Sequence, residues 1–212
     1  MKVDRASMLI YAVTDRAWLG DNTLAEQVEL AIKGGATFVQ LREKHLDYES
    51  FLSLAKEIKE VTDRYKIPFV INDNIEVAIA CDADGVHVGQ SDMTAGDVRA
   101  RIGENKILGV SAETVELAKL AEQNGADYLG VGAMFSTSTK LDAELITFDT
   151  LKGICTAVSI PVVAIGGIGE HNIMQLKDSG IDGVSVVSAI FAQPDITAAT
   201  QRLKTLAQET VE

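Results

Sequence analysis

The residues in this 212-residue chain best suited to chemistry lie in a few short stretches. The densest runs from Gly130 to Ala143. Gly130 and Gly132 remove side chains at the end of a predicted strand, which lets a ligand approach the backbone. Ser136, Thr137, Ser138 and Thr139 then offer hydroxyls, and Lys140 adds one positive charge. Hydroxyl and backbone donors beside an ammonium suit a phosphate or diphosphate; the bland alternative is a polar surface loop. Asp73 and Asp92 form a second group. Each follows a predicted strand, and neighbouring strands lie about 5 Å apart. Two carboxylates so close repel unless a cation separates them or one is protonated. Hard oxygen ligands beside a polyphosphate favour Mg2+, whereas the competing reading is that both aspartates cap helices. Arg42, Lys44 and Lys140 can surround the remaining anionic oxygens. Gly166-Gly167, with Ser188 farther on, forms a third group in which exposed backbone N–H groups could hold a single phosphate. Two anion sites imply two phosphorylated substrates or one long bisphosphate.

The elements that must position these groups read as alternating strands and helices. Predicted strands cover Met8–Val13, Thr37–Leu41, Pro68–Ile71, Gly85–Val88, Ile107–Val110, Asp127–Val131, Pro161–Ile165 and Gly183–Val187. Between and after them, helical patterns occupy the stretch capped by Asn22, then Tyr48–Tyr65, Asn74–Cys81, Ala95–Ile102, Glu113–Gln123, Phe148–Ala157, His171–Asp178 and Ile196–Ala207. The strand-to-strand spacing demands parallel neighbours, and several strands are continuous Val/Ile runs, as in sheets buried on both faces. An internal echo marks the entry to every even-numbered strand: Gly35-Ala36-Thr37, Asp82-Ala83-Asp84, Gly125-Ala126-Asp127 and Gly180-Ile181-Asp182. The expectation is α/β, a single (β/α)8 TIM barrel over residues 1–212. The absence of GxGxxG after strand one weighs against a dinucleotide fold. In a barrel of this kind sites form at the C-terminal rim of the strands, where the polar groups named above fall.

Composition narrows the partners. The formal charge of −12 argues against nucleic acid, while anionic small molecules respond to local charge. Cys81 and Cys155 form no CxxC motif and read as reduced, buried thiols. No signal-like N-terminus or membrane-length apolar run is present, so a cytoplasmic protein is expected. His87, between Val86 and Val88, reads as a packed polar residue, and no Ser-His-Asp or cysteine-nucleophile arrangement is visible.

Taken together, the chain resembles the thiamine phosphate synthase family. The matching pieces are Tyr11-Ala12-Val13-Thr14-Asp15, Gln40-Leu41-Arg42-Glu43-Lys44, Ile71-Asn72-Asp73, Gly85 to Gln90 with Asp92, Gly109-Val110-Ser111, Gly130 through Ala143, Ala164 to Ile168, and Gly183 to Ile190. The resemblance implies a transferase that joins 4-amino-2-methyl-5-hydroxymethylpyrimidine diphosphate to 4-methyl-5-(2-phosphoethyl)thiazole, releasing diphosphate. It implies that Gln40, Leu41, Arg42, Glu43, Lys44, Asn72, Ser111 and Lys140 hold the pyrimidine diphosphate, with Lys140, Arg42 and Ser111 taking part in catalysis. It assigns Mg2+ to Asp73 and Asp92, and the thiazole phosphate to Thr137, Ser138, Thr139, Gly167, Val187 and Ser188. Where the family often has proline after Gly132 and after Phe135, this chain has Ala133 and Ser136, which leaves the loop freer. Two alternatives stay open: a thiazole tautomerase-like relative, and a non-catalytic barrel that binds phosphorylated ligands. The oligomeric state is not legible.

Overall fold

The computed structural model describes residues 3–89, 95–137 and 144–212. Eight parallel strands close into a barrel: β1 (Ile10–Val13), β2 (Phe38–Leu41), β3 (Phe69–Asn72), β4 (Gly85–Val88), β5 (Ile107–Ala112), β6 (Tyr128–Val131), β7 (Val162–Ile165) and β8 (Gly183–Val186). Each strand pairs with the next, and β8 closes on β1 in register through Tyr11 and Ser185. The described helices are α1 (Leu24–Gly34), α2 (Tyr48–Tyr65), α3 (Ile75–Ala80), α4 (Ala95–Ile102), α5 (Val115–Gln123), α6 (Phe148–Ala157), α7 (Ser188–Phe191) and α8 (Ile196–Val211).

The period of two in a strand divides the core into two layers. Val39 and Leu41 of β2 face outward and pack with Val28 and Phe51 of the surrounding helices. Phe38 faces inward, where it meets Tyr11, Val70, Ile107, Tyr128 and Val163. The helices start where side chains can accept orphan N–H groups. Thr23 and Glu26 form a reciprocal capping box on α1, so the cap is Thr23 rather than Asn22, and the glutamate three residues on decides it. Asp47, Asn74, Thr114, Thr147 and Asp195 cap five further helices.

Other boundaries also depart from expectation. Residues Arg5–Met8 form a 3₁₀ turn, so β1 starts later. β5 runs on through Ser111, and α8 runs on to Val211. The predicted helix His171–Asp178 is only a 3₁₀ turn at Ile173–Leu176. Asn172, placed to cap it, is engaged elsewhere: its Oδ1 accepts from Gly169 N at 2.9 Å and its Nδ2 donates to Gly167 O at 2.9 Å. Asp178 then turns left-handed at φ 65° and ends the segment.

The internal echo has a physical meaning at the end of the barrel opposite the predicted site. The third residue of each triplet accepts the backbone N–H at the start of the preceding odd-numbered strand. Thr37 Oγ1 accepts from Ile10 N at 2.9 Å, Asp84 Oδ2 from Phe69 N at 2.8 Å, Asp127 Oδ2 from Leu108 N at 2.9 Å and Asp182 Oδ2 from Val162 N at 2.8 Å. Four equivalent clasps thus join odd to even strands, and two carry an arginine: Arg99 on Asp127 and Arg5 on Asp182, both at 2.6 Å. Replacing Asp84 with Ala leaves the Phe69 N–H without this acceptor. We expect a loss of about 1–3 kcal/mol in unfolding free energy, read by urea denaturation, with turnover per folded molecule unchanged.

Candidate active site

Ten of the residues expected to hold substrate or metal line one cavity of about 480 Å³ at the C-terminal mouth of the barrel. Gln40, Arg42 and Lys44 arrive from β2, Asn72 and Asp73 from β3, and Ser111 from β5. Thr137 follows β6, Gly167 follows β7, and Val187 and Ser188 follow β8. The size and the mixture of apolar wall with a few aimed polar groups are those of a small-molecule site. Two expected residues do not line it. Leu41 is fully buried and faces the helices, because it is one residue out of phase with Gln40. Glu43 turns away toward Arg16, 4.0 Å distant, and burial raises its carboxyl pKa. Asp92, Ser138, Thr139 and Lys140 lie outside the described residues.

Local chemistry positions the rim. Thr14 is fully buried; its N–H donates to Gln40 O at 3.0 Å and its Oγ1 accepts from Arg42 N at 3.1 Å. That clasp ties the end of β1 to the point where Arg42 leaves the strand. Asp73 adopts φ 60°, a left-handed conformation that aspartate tolerates better than most residues. Its N–H bonds His87 O at 2.9 Å, and its Oδ2 accepts from Asn72 Nδ2 at 2.6 Å. Asp73 does not cap α3; Asn74 does, accepting from Val77 N at 2.9 Å. The helix-cap alternative therefore fails for Asp73, whose exposed carboxylate is free to face the cavity.

On the other side, Gly167 has φ 61°, and a Cβ there would collide with the Ser136 carbonyl oxygen. Only glycine lets the loop after β7 lie against the loop after β6. Asn172 braces this contact through Gly167 O, a role invisible in sequence because it depends on a turn rather than a helix. Val187 is the residue before the short helix α7, and Ser188 is its first residue.

The cavity floor holds the residues that sequence reasoning missed. Gln40 Nε2 lies 2.5 Å from Tyr11 Oη, which lies 2.6 Å from Tyr128 Oη. His87 Nδ1 is 2.9 Å from Tyr128 Oη, and His87 Nε2 is 3.0 Å from Ser111 Oγ. His87 is thus packed, as expected, but it also lines the cavity. Burial lowers its pKa to about 4 and raises those of both tyrosines, so the floor is uncharged at neutral pH. The signal that could have found Tyr11, His87 and Tyr128 is parity: like the expected Gln40 and Ser111, they occupy inward positions of their strands.

A family model described as thiamine monophosphate synthase matches residues 10–190. The chain belongs to the thiamine monophosphate synthase family. It is 54% identical over 194 residues to a thiamine-phosphate synthase of Ruminiclostridium cellulolyticum, covering 92% of each chain. It is 51% identical to one of Clostridium tetani, covering 92% of this chain and 93% of that one. Among solved structures it is similar to the thiamine phosphate pyrophosphorylase of Pyrococcus furiosus, with a TM-score of 0.90, 36% identity, and coverage of 98% of this chain and 99% of that one. The described residues thus share the barrel fold of that family member.

The neutral floor has a consequence for pH. His87 has a folded-state pKa below its ordinary 6.5, so the unfolded chain takes up this proton first. Its contribution to stability is constant above about pH 6.5. Below that pH it erodes stability as pH falls toward about 4, by on the order of 3 kcal/mol in total. Urea midpoints measured from pH 7 to pH 4 for the native chain and for His87→Gln should diverge in slope over that window.

Proposed function

We propose that this chain transfers the hydroxymethylpyrimidine group from its diphosphate to the ring nitrogen of thiazole phosphate, giving thiamine phosphate and diphosphate. Family membership supports the reaction class. The observation that carries the reading is that both anion-handling halves, Arg42, Lys44 and Asp73 on one side and Thr137, Gly167 and Ser188 on the other, open into a single cavity. Two phosphorylated reactants bound there would have their reacting ends face to face, which removes the entropy of a bimolecular encounter.

One bond breaks and one forms. The carbon–oxygen bond to the diphosphate cleaves, and its electron pair leaves with the diphosphate. The thiazole nitrogen then donates its lone pair to the methylene carbon. Arg42, Lys44 and Lys140 stabilise the charge gathering on the leaving oxygens. The aminopyrimidine ring feeds electron density to the methylene, so no general base is needed. The neutral floor of Tyr11, His87 and Gln40 can hold the ring without placing a cation beside the electron-poor carbon.

The oxygen donors at the mouth, with the Asp73 carboxylate turned to the cavity rather than to a helix end, suit a hard divalent cation. Asp73 and Asp92 would hold Mg2+, which when bound supplies charge neutralisation to the diphosphate. A tautomerase would need a proton-transferring group. His87 is a poor one at neutral pH, since its pKa is near 4 and both ring nitrogens are within hydrogen-bonding distance of Tyr128 and Ser111.

Mixing the purified protein with both substrates should release diphosphate only when a divalent cation is present. Turnover of the thiazole precursor alone, or binding of both compounds without diphosphate release, would overturn the reading. Lys140→Ala should lower kcat by about 100-fold or more and leave the KM for thiazole phosphate within about twofold. An unchanged kcat would remove Lys140 from its assigned role.

A further inference from the structure

The barrel floor contains five polar groups joined end to end, and only four of them reach the cavity. Gln40, Tyr11, His87 and Ser111 line it. Tyr128, the link between the two halves, is fully buried and does not line the cavity. The fold makes deliberate room for it. Gly109 lies opposite Tyr128 in the β5–β6 register, and a Cβ at Gly109 would run into the tyrosine ring. Phe38 and Tyr11 pack around the ring with centroids 5.5 and 5.7 Å away.

Counting hydrogens gives the chain a direction. Gln40 Nε2 donates to Tyr11 Oη. Only one hydrogen can occupy the contact between the two phenol oxygens. If Tyr128 supplied it, Tyr11 would accept twice and its own hydrogen would be buried without this partner, an unfavourable state. Tyr11 therefore donates to Tyr128, and Tyr128 donates to His87 Nδ1. A neutral imidazole with an accepting Nδ1 carries its proton on Nε2, and that proton goes to Ser111 Oγ. Both ends of the chain are then set together: Gln40 turns its carbonyl oxygen toward the cavity, and Ser111 Oγ accepts the His87 proton. Reversing any one link reverses all the others.

We propose that Tyr128 is a positioning residue that couples Gln40 to His87 through Tyr11, so that the floor presents an accepting oxygen at Gln40 and a single imidazole tautomer at His87. Building on the reaction proposed above, this polarity selects a neutral heteroaromatic ring that offers an amino donor to the Gln40 oxygen. It rejects the oxo analogue, whose carbonyl oxygen would face the Gln40 oxygen. Tyr128 achieves this without touching the ring.

The decisive variant is Tyr128→Phe, which keeps the aromatic packing and removes the link. In the native protein, nitrogen-15 NMR of the His87 imidazole should show the Nε2–H tautomer, and in Tyr128→Phe a mixture of the two. Observation of Nδ1–H in the native protein, or of an unaltered tautomer in the variant, overturns the proposal. The native-protein measurement needs no variant and no substrate, so it stands even if Tyr128→Phe fails to fold or the proposed reaction is not found. In steady-state kinetics the variant should lose about tenfold in kcat/KM for the aminopyrimidine diphosphate while the KM for thiazole phosphate stays within about twofold. Its preference for the amino substrate over the oxo analogue as a competitive ligand should fall by about tenfold. An equal rise in both KM values, or an unchanged amino-to-oxo preference, would reduce Tyr128 to a packing residue.

Discussion

Closure of eight parallel strands gives every strand residue one of two directions, and the rest of the molecule follows from that division. Outward residues bury apolar surface against the helices. Inward residues have no solvent and no helix to meet, only one another. A polar side chain on the inward face must therefore find a partner inside the barrel or lie near enough to the mouth to meet a ligand. Tyr128 takes the first course and Asn72 takes the second, while Tyr11, Gln40, His87 and Ser111 do both. The same division keeps Leu41 out of the site, although its neighbours on either side are in it.

Burial also sorts charge by depth. The floor groups are held in their neutral forms because a dry environment disfavours either ion. At the mouth stand the charged side chains of Arg42, Lys44 and Asp73. A chain with a formal charge of −12 thus still places two cationic side chains at the mouth, beside the carboxylates of Asp73 and Glu113. The separation suits a reactant with an uncharged ring at one end and a highly charged group at the other. It also orients such a reactant, since turning it over would bring the anionic end against groups that cannot leave their neutral state cheaply.

The two ends of the barrel divide the work. At the N-terminal end, four repeated side-chain clasps fasten odd strands to even ones, and none of them lines the cavity. At the C-terminal end the connections are irregular, and glycine at 167 allows two loops to touch where a side chain would hold them apart. Stability can thus be maintained by a regular device while the loops at the mouth vary.

The amino-acid sequence was sufficient for the strand–helix alternation, the barrel, the family and the rim residues Arg42, Lys44, Asn72, Asp73 and Gly167. Each of those depends on local information: hydrophobic period, turn chemistry, or a polar residue just past the end of a strand. The triplets before the even strands were visible as a pattern, but their purpose was not, because the bond each makes reaches back to a different strand. The role of Asn172 was hidden for a similar reason, since its partners are set by a turn rather than by the helix its neighbours suggest. The hydrogen-bonded floor could come only from tertiary structure. Tyr11, Gln40, His87, Ser111 and Tyr128 lie on five different strands, and nothing in the sequence near any of them specifies the others. Barrel closure brings them within hydrogen-bonding distance, and the scarcity of water there gives those contacts their directional force.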